Sequence, residues 1–248
     1  MTKLSLAAAA TLIVALGACN AEGGNATSTG APNVAPVAAP NGGDWSKTVS
    51  QTPEGGVLMG NPDAKVKLVE FGSMTCSHCA EFSEAGMPKL VDQYVKAGNV
   101  SFEFRNFVRD PLDITMALVA RCAGASPTFF TLTDGLFADQ KAVFERYQAV
   151  PQEQLAALQG MQPAQQFAAM AKFANLQEWA AQRGVPSAKS SQCLANQAEI
   201  DRLVQMQSDA VSQYNVPGTP AFVINGKLVE NAANWASLEP KIKEALGS

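Results

Sequence analysis

Histidine is almost absent from this 248-residue chain, in which His78 stands alone. That restricts any metal centre built on several imidazoles and any Ser-His-Asp triad with a histidine to spare. Charge is also sparse. Only 16% of residues are Asp, Glu, Lys or Arg, and 18 basic against 22 acidic residues leave a net charge of −4. No Lys/Arg cluster offers the basic patch that counterion release requires, so nucleic acid is not an expected partner. The apolar run Leu4 to Leu16 is too short to cross a bilayer as a stable helix. The chain has no internal repeat and no second Cys-x-x-Cys, so the ligand set of a structural zinc site is missing. What remains is a 47% hydrophobic chain of a length suited to one domain with an insertion, carrying an odd number of cysteines, five.

The first cysteine has its own context. Lys3 and the apolar run lead into Leu16-Gly17-Ala18-Cys19. Small residues before a cleavage point suit a signal peptidase. A cysteine directly after them resembles the lipobox of bacterial lipoproteins, which implies removal of residues 1–18 and lipidation of Cys19. The alternative is an ordinary secretory peptide in which Cys19 is incidental. Either reading sends the protein to an oxidising space, the periplasm, where disulfides persist. Residues 20 to about 41 are Ala, Gly, Asn, Pro, Ser and Thr and have little to bury. We therefore expect a low-complexity tether over 19–50 and a domain over 51–248, with folded structure starting near Asp44 to Val57.

Within the domain, Val66 to Phe71 reads as a buried strand closed by Gly72. Cys76 to Ala97 reads as helix, with Gly86 and Pro88 forcing a kink or a fresh start. Val100 to Phe104 alternates as a second strand. The stretch from about 111 to 214 carries no clear strand; Ile114 to Ala123, Ala164 to Arg183 and Ala198 to Tyr214 look helical. Ala221 to Ile224, Asn225-Gly226 and Lys227 to Glu230 form a hairpin signal. Trp235 to Leu246 reads as a closing helix. The expected class is α/β, with an all-helical insertion between the second core strand and the C-terminal hairpin.

The chemistry concentrates in Cys76-Ser77-His78-Cys79, at the passage from strand to helix. Two intervening residues put both thiols on one helical turn. The first sits where unpaired N–H groups and the helix dipole favour an anion. A protonated His78 would add positive charge beside it. The same two thiols could instead hold copper(I), or form a purely structural disulfide. No metal or other cofactor is expected.

This motif after an apolar strand, a long helical block, and Thr219-Pro220 just before a hairpin together resemble the DsbA-like thioredoxin-fold thiol–disulfide oxidoreductases, over about 56–246. The resemblance implies that Cys76 attacks and Cys79 resolves. It implies that Pro220 is cis, packed against the redox pair, with the Thr219 backbone pairing to the substrate chain. Glu70, an acid on an otherwise apolar strand, matches a buried acid that moves a proton to or from the resolving thiol; alternatively it faces solvent or pairs with Lys67. Ser77 departs from the proline common at its position, which leaves the strength of oxidation open. Cys122 and Cys193 are left over and most simply pair with each other, the alternative being two buried free thiols.

The function expected is disulfide formation or exchange in exported proteins, with re-oxidation by a membrane redox partner implied by the resemblance. A monomer held to a membrane through lipidated Cys19 is expected. A reductase or isomerase, or a non-enzymatic copper(I)-binding module, are the alternatives.

Overall fold

The computed structural model describes residues 34–248. Residues 1–18, Cys19 and the first part of the expected tether lie outside the described residues.

A short hairpin opens the domain: β1 (Val49–Gln51) and β2 (Val57–Met59). β3 (Val66–Gly72) leads into α1 (Ser77–Ala85), α2 (Met87–Leu90) and a π-helical turn over Val91–Val95. β4 (Val100–Asn106) returns parallel to β3. The helical insertion follows. It comprises α3 (Pro111–Arg121), α4 (Pro127–Ala138), α5 (Gln140–Gln148), α6 (Gln152–Ala157), α7 (Pro163–Phe173), α8 (Leu176–Ala181), α9 (Ser187–Leu194) and α10 (Gln197–Tyr214). β5 (Ala221–Ile224), β6 (Lys227–Leu228) and α11 (Trp235–Leu246) close the chain. This is a thioredoxin fold with a large helical insertion between β4 and the β5–β6 hairpin.

The sheet order is β1-β2-β4-β3-β5-β6, and only the β3–β4 pair is parallel. β3 is central and must bury both faces, which explains its near-continuous apolar run. Val66, Leu68, Phe102, Phe104 and Phe222 pack in the main core with Phe82 of α1, Phe129 and Phe130 of α4, and Leu238 and Ile242 of α11. Val69, Phe71 and Val223 form the second cluster, under Ala210 and Tyr214 of α10. Glu70 falls on the first face, between Leu68 and Gly72. The hairpin turn takes positive φ at both Asn225 (49°) and Gly226 (81°), as a two-residue Asn-Gly turn requires.

Two expectations need revision, and one hairpin went unread. The reading of helix through Ala164 to Arg183 is interrupted, because Asn175 adopts a left-handed φ of 56° between α7 and α8; asparagine tolerates that conformation better than most residues. The β1–β2 hairpin was not read from the sequence, since three-residue strands give no usable period. The expected tether also extends too far toward the domain. Val37 N–H donates to Ala97 O at 2.8 Å, and Trp45 Nε1 donates to Val37 O at 3.0 Å. Trp45 is buried, and β1 begins at Val49. A single large aromatic thus orders part of a stretch that is otherwise poor in apolar residues.

Cys122, at the C-terminal end of α3, is bonded to Cys193 of α9, with Cα atoms 5.8 Å apart. The bridge closes a sequence separation of 71 residues wholly inside the insertion.

Trp45→Ala should therefore destabilise the domain by about 3 kcal/mol in a denaturant titration, the scale of a large-to-small core change. Cys76 alkylation should be unaltered. A Trp45→Ala protein as stable as the parent would return residues 34–48 to the tether.

Candidate active site

β3 ends at Gly72, and Ser73 to Cys76 turn the chain into α1. The Cys76 N–H donates to Ser73 O at 3.1 Å, and Cys76 itself is the N-cap, with extended backbone (φ −93°, ψ 120°). Its sulfur therefore lies where the first N–H groups of the helix have no intrahelical partner. Cys76 retains only 5% of its exposure and Cys79 none, and both thiols are free. The Cys79 thiol is the largest influence on Cys76 and pulls its pKa down. Burial opposes this, and Thr219 and the N–H groups of Cys79 and His78 add to the lowering; the result is a pKa of about 5. Cys79 moves the other way, pushed far up by burial first and then by Cys76 and Glu70. At neutral pH the reduced pair is thus one thiolate and one buried thiol.

Across from the sulfur, the Thr219–Pro220 peptide is cis, and Pro220 is buried just ahead of β5. The Cys76 thiol donates to Thr219 O at 3.2 Å. Thr219 Oγ1 is buried and has no partner. Thr219 therefore offers an acceptor to the thiol and a donor to the thiolate.

The loop that carries Cys76 is held from the insertion. Asp113 of α3 is fully buried and accepts from Ser73 Oγ at 2.5 Å, Met74 N–H at 2.8 Å and Arg109 N–H at 3.0 Å. Burial pushes its pKa up to about 7, against these three donors. Gln140 at the start of α5 donates to Met74 O at 2.8 Å and to Cys76 O at 3.1 Å. Thr75 donates to Asp110 at 2.8 Å, and Arg109 donates to Ser73 and Thr75. Sequence reasoning missed these residues. Asp110-Pro111 does carry a helix-start signal, and Asp110 caps Asp113 N–H at 2.9 Å. Nothing in the sequence marks Gln140.

Glu70 is buried and its Oε1 has no hydrogen-bond partner, so neither solvent nor Lys67 accounts for it. Burial, then the charges of Asp134 and Cys76, push its pKa well up. His78 is placed differently from the simplest expectation. Its imidazole is exposed and pairs with Glu81 at 3.0 Å, which raises its pKa more than Cys76 does. Its effect on Cys76 comes through its backbone N–H. Among the described residues, no group of three or more His, Cys, Asp or Glu is placed to hold a metal ion.

A strand-to-helix Cys-x-x-Cys thus faces a cis-proline on a β4-β3-β5 sheet. A thioredoxin family model matches residues 52–244. The chain belongs to that family. Its resemblance is to the DsbA-like branch. A solved protein-disulfide isomerase from Novosphingobium aromaticivorans is 36% identical, with a TM-score of 0.71 over 77% of this chain and 97% of that one. Wolbachia pipientis alpha-DsbA1, at 20% identity, shares the fold with a TM-score of 0.61 over 77% of this chain and 90% of its own. A Rickettsia bellii protein, named provisionally as a protein-disulfide oxidoreductase, is 23% identical over 187 residues. The match covers 75% of this chain but 62% of that relative, so the chain spans less than two thirds of its length.

Cys76 in the reduced protein should react with iodoacetamide at a rate that titrates near pH 5, while Cys79 stays unreactive. The same depression has a stability consequence. Ionised Cys76 stabilises the reduced fold fully above the unfolded thiol pKa of about 8.5, and the gain is lost as pH falls through about 5. The disulfide form carries no such group. The stability of the reduced form relative to the oxidised form should therefore fall between those limits as the solution is acidified. A constant difference would place the low pKa elsewhere.

Proposed function

We propose that the protein is a thiol–disulfide oxidoreductase that forms or exchanges disulfides in exported proteins through Cys76 and Cys79. The observation that carries this reading is the unequal pair: a Cys76 thiol with its pKa lowered to about 5, beside a buried Cys79, facing the cis Thr219–Pro220 peptide. A thiolate at the nucleophile stabilises the reduced enzyme and so favours passing the disulfide on.

In the oxidising direction, a substrate thiolate attacks Cys76 of the enzyme disulfide. The S–S bond breaks, Cys79 leaves with the electron pair and takes a proton, and Cys76 is joined to the substrate. A second substrate thiolate then attacks the substrate sulfur of that bond, and Cys76 leaves as a stable thiolate. We assign the supply of that proton to Glu70, whose charge acts on Cys79. Thr219 lies beside Cys76, at the start of β5, where its backbone would pair with the substrate chain. The enzyme then needs re-oxidation, which we assign to a membrane redox partner.

The setting is part of the same proposal. Leu16-Gly17-Ala18-Cys19 supports export with a lipid on Cys19, and the Cys122–Cys193 bond fits an oxidising compartment. No described helix is long and apolar enough to cross a membrane. Isomerisation is the second reading, favoured by the name of the 36% identical relative.

The direct test is trapping. Cys79→Ala should accumulate a mixed disulfide with reduced client proteins when the enzyme is offered in an oxidised, activated form at Cys76. Cys76→Ala should trap none. Equal trapping by both variants would reverse or abolish the assigned roles. Renaturation of a scrambled disulfide protein, compared with oxidation of a reduced one, separates isomerase from oxidase.

A further inference from the structure

Glu70 can exchange a proton with Cys79 only if it can in turn exchange one with water, and Glu70 is buried. A small cavity of about 10 Å³ lies against the Glu70 side chain, lined by Phe102, Phe104 and Phe130 and by Thr133, Asp134 and Ser83. Two of its polar atoms, Glu70 Oε1 and Thr133 Oγ1, are buried without a hydrogen-bond partner. Buried polar groups are almost always satisfied, and a cavity of about this size holds one water when several polar atoms converge on it. Gly72 keeps the space open: a Cβ there would lie 2.5 Å from the Phe104 ring and 3.2 Å from Glu70 Oε1.

Asp134 of α4 joins this cavity to the surface. It lines the inner cavity and also a groove of about 810 Å³ that runs past Ser77, between α1 and α4. Ser83 Oγ donates to Asp134 Oδ1 at 2.9 Å and fixes its orientation. The groups facing Asp134 are Glu70 on the inner side and Glu81, Glu84, Asp92 and Lys141 along the groove.

We propose that Asp134 is the proton outlet of the redox site: one water in the cavity relays a proton between Glu70 and Asp134, and Asp134 exchanges it with the groove. The inference rests on the reading of Glu70 as the partner of Cys79. When Cys79 leaves the disulfide with the electron pair, it takes the Glu70 proton. The Glu70 carboxylate takes one from the water, the water takes one from Asp134, and Asp134 takes one from solvent. When Cys79 must attack, each proton moves the opposite way, so the carboxyl inventory is unchanged after each cycle. The charge of Asp134 is the largest charge effect on Glu70, consistent with this proximity. Asp134 touches no reacting atom; it is a positioning and relay residue contributed by the helical insertion.

The experiment uses the full chain carrying thionitrobenzoate in a mixed disulfide on Cys76. Attack by Cys79 requires loss of its proton and releases the coloured thiolate. Asp134→Asn should slow release at least about tenfold near neutral pH, within the range of a lost acid–base contribution. It should change the pH profile, and a small buffer base such as imidazole should restore part of the rate. Asp134→Glu should retain most of the rate, and Ser83→Ala should slow it less than Asp134→Asn. The Cys76 thiolate pKa should stay in place in all three. A parental rate and pH profile in Asp134→Asn, while Glu70→Gln is slow, would overturn the outlet and leave the Glu70 reading intact. Slowing that buffer does not relieve and Asp134→Glu does not rescue would overturn it as well, in favour of a purely structural role. A Glu70→Gln protein as fast as the parent would overturn the reading beneath it.

Discussion

The site depends on one asymmetry: Cys76 sits at the start of a helix and Cys79 one turn inside it. The first sulfur meets the Cys79 thiol, then Thr219 and the N–H groups that the helix cannot satisfy, while the second lies on the inner face of α1 with no exposure. Identical side chains thereby acquire proton affinities shifted in opposite directions. The disulfide form has no thiolate to stabilise, so the environment of Cys76 favours the reduced pair. In the proposed oxidising direction, the drive comes from stabilising the product and not from straining the starting state.

That asymmetry requires a fixed loop. Residues 73–76 must present Cys76 to Thr219 while leaving Cys79 buried, and a four-residue link cannot hold such a geometry alone. The helical insertion supplies the restraint. Asp113 takes three donors from the loop and its flank, and Gln140 takes the carbonyls on either side of Thr75. The Cys122–Cys193 bond ties α3, which carries Asp113, to α9. The insertion is therefore part of the active site as well as a cover for the sheet: it positions the loop from one side and lines the groove beside α1 from the other.

Much of this was legible in the sequence, and the limits have physical causes. β3, β4, the Asn225-Gly226 turn and α11 were readable because each has either a strong apolar pattern or a turn with few conformational solutions. The Cys76–Cys79 pair was readable because two thiols one turn apart at a strand-to-helix passage have few uses. α4, α5, α6 and α9 were not singled out, since their apolar positions serve several neighbours and blur any one face. Asp113 and Gln140 were invisible because the loop groups they hold, such as the Met74 N–H and the Met74 carbonyl, lie more than 35 residues away in the chain. His78 was readable as a member of the motif, but its pairing with Glu81 needed the direction of the imidazole. A start of folded structure near Asp44 was readable, but composition alone does not show that Trp45 docks on Gly98 and the neighbouring backbone.

With these shifts, the reduced pair is a Cys76 thiolate and a Cys79 thiol over most of the accessible pH range. The pH dependence of the Cys76–Cys79 reduction potential reads this out, because the slope counts protons taken up per electron. The potential should fall by about 30 mV per pH unit above about pH 5, where one proton accompanies two electrons. Below that pH the slope should steepen to about 59 mV, where two protons do. A slope of about 59 mV persisting to pH 8 would show both thiols protonated in the reduced protein, and would contradict the account.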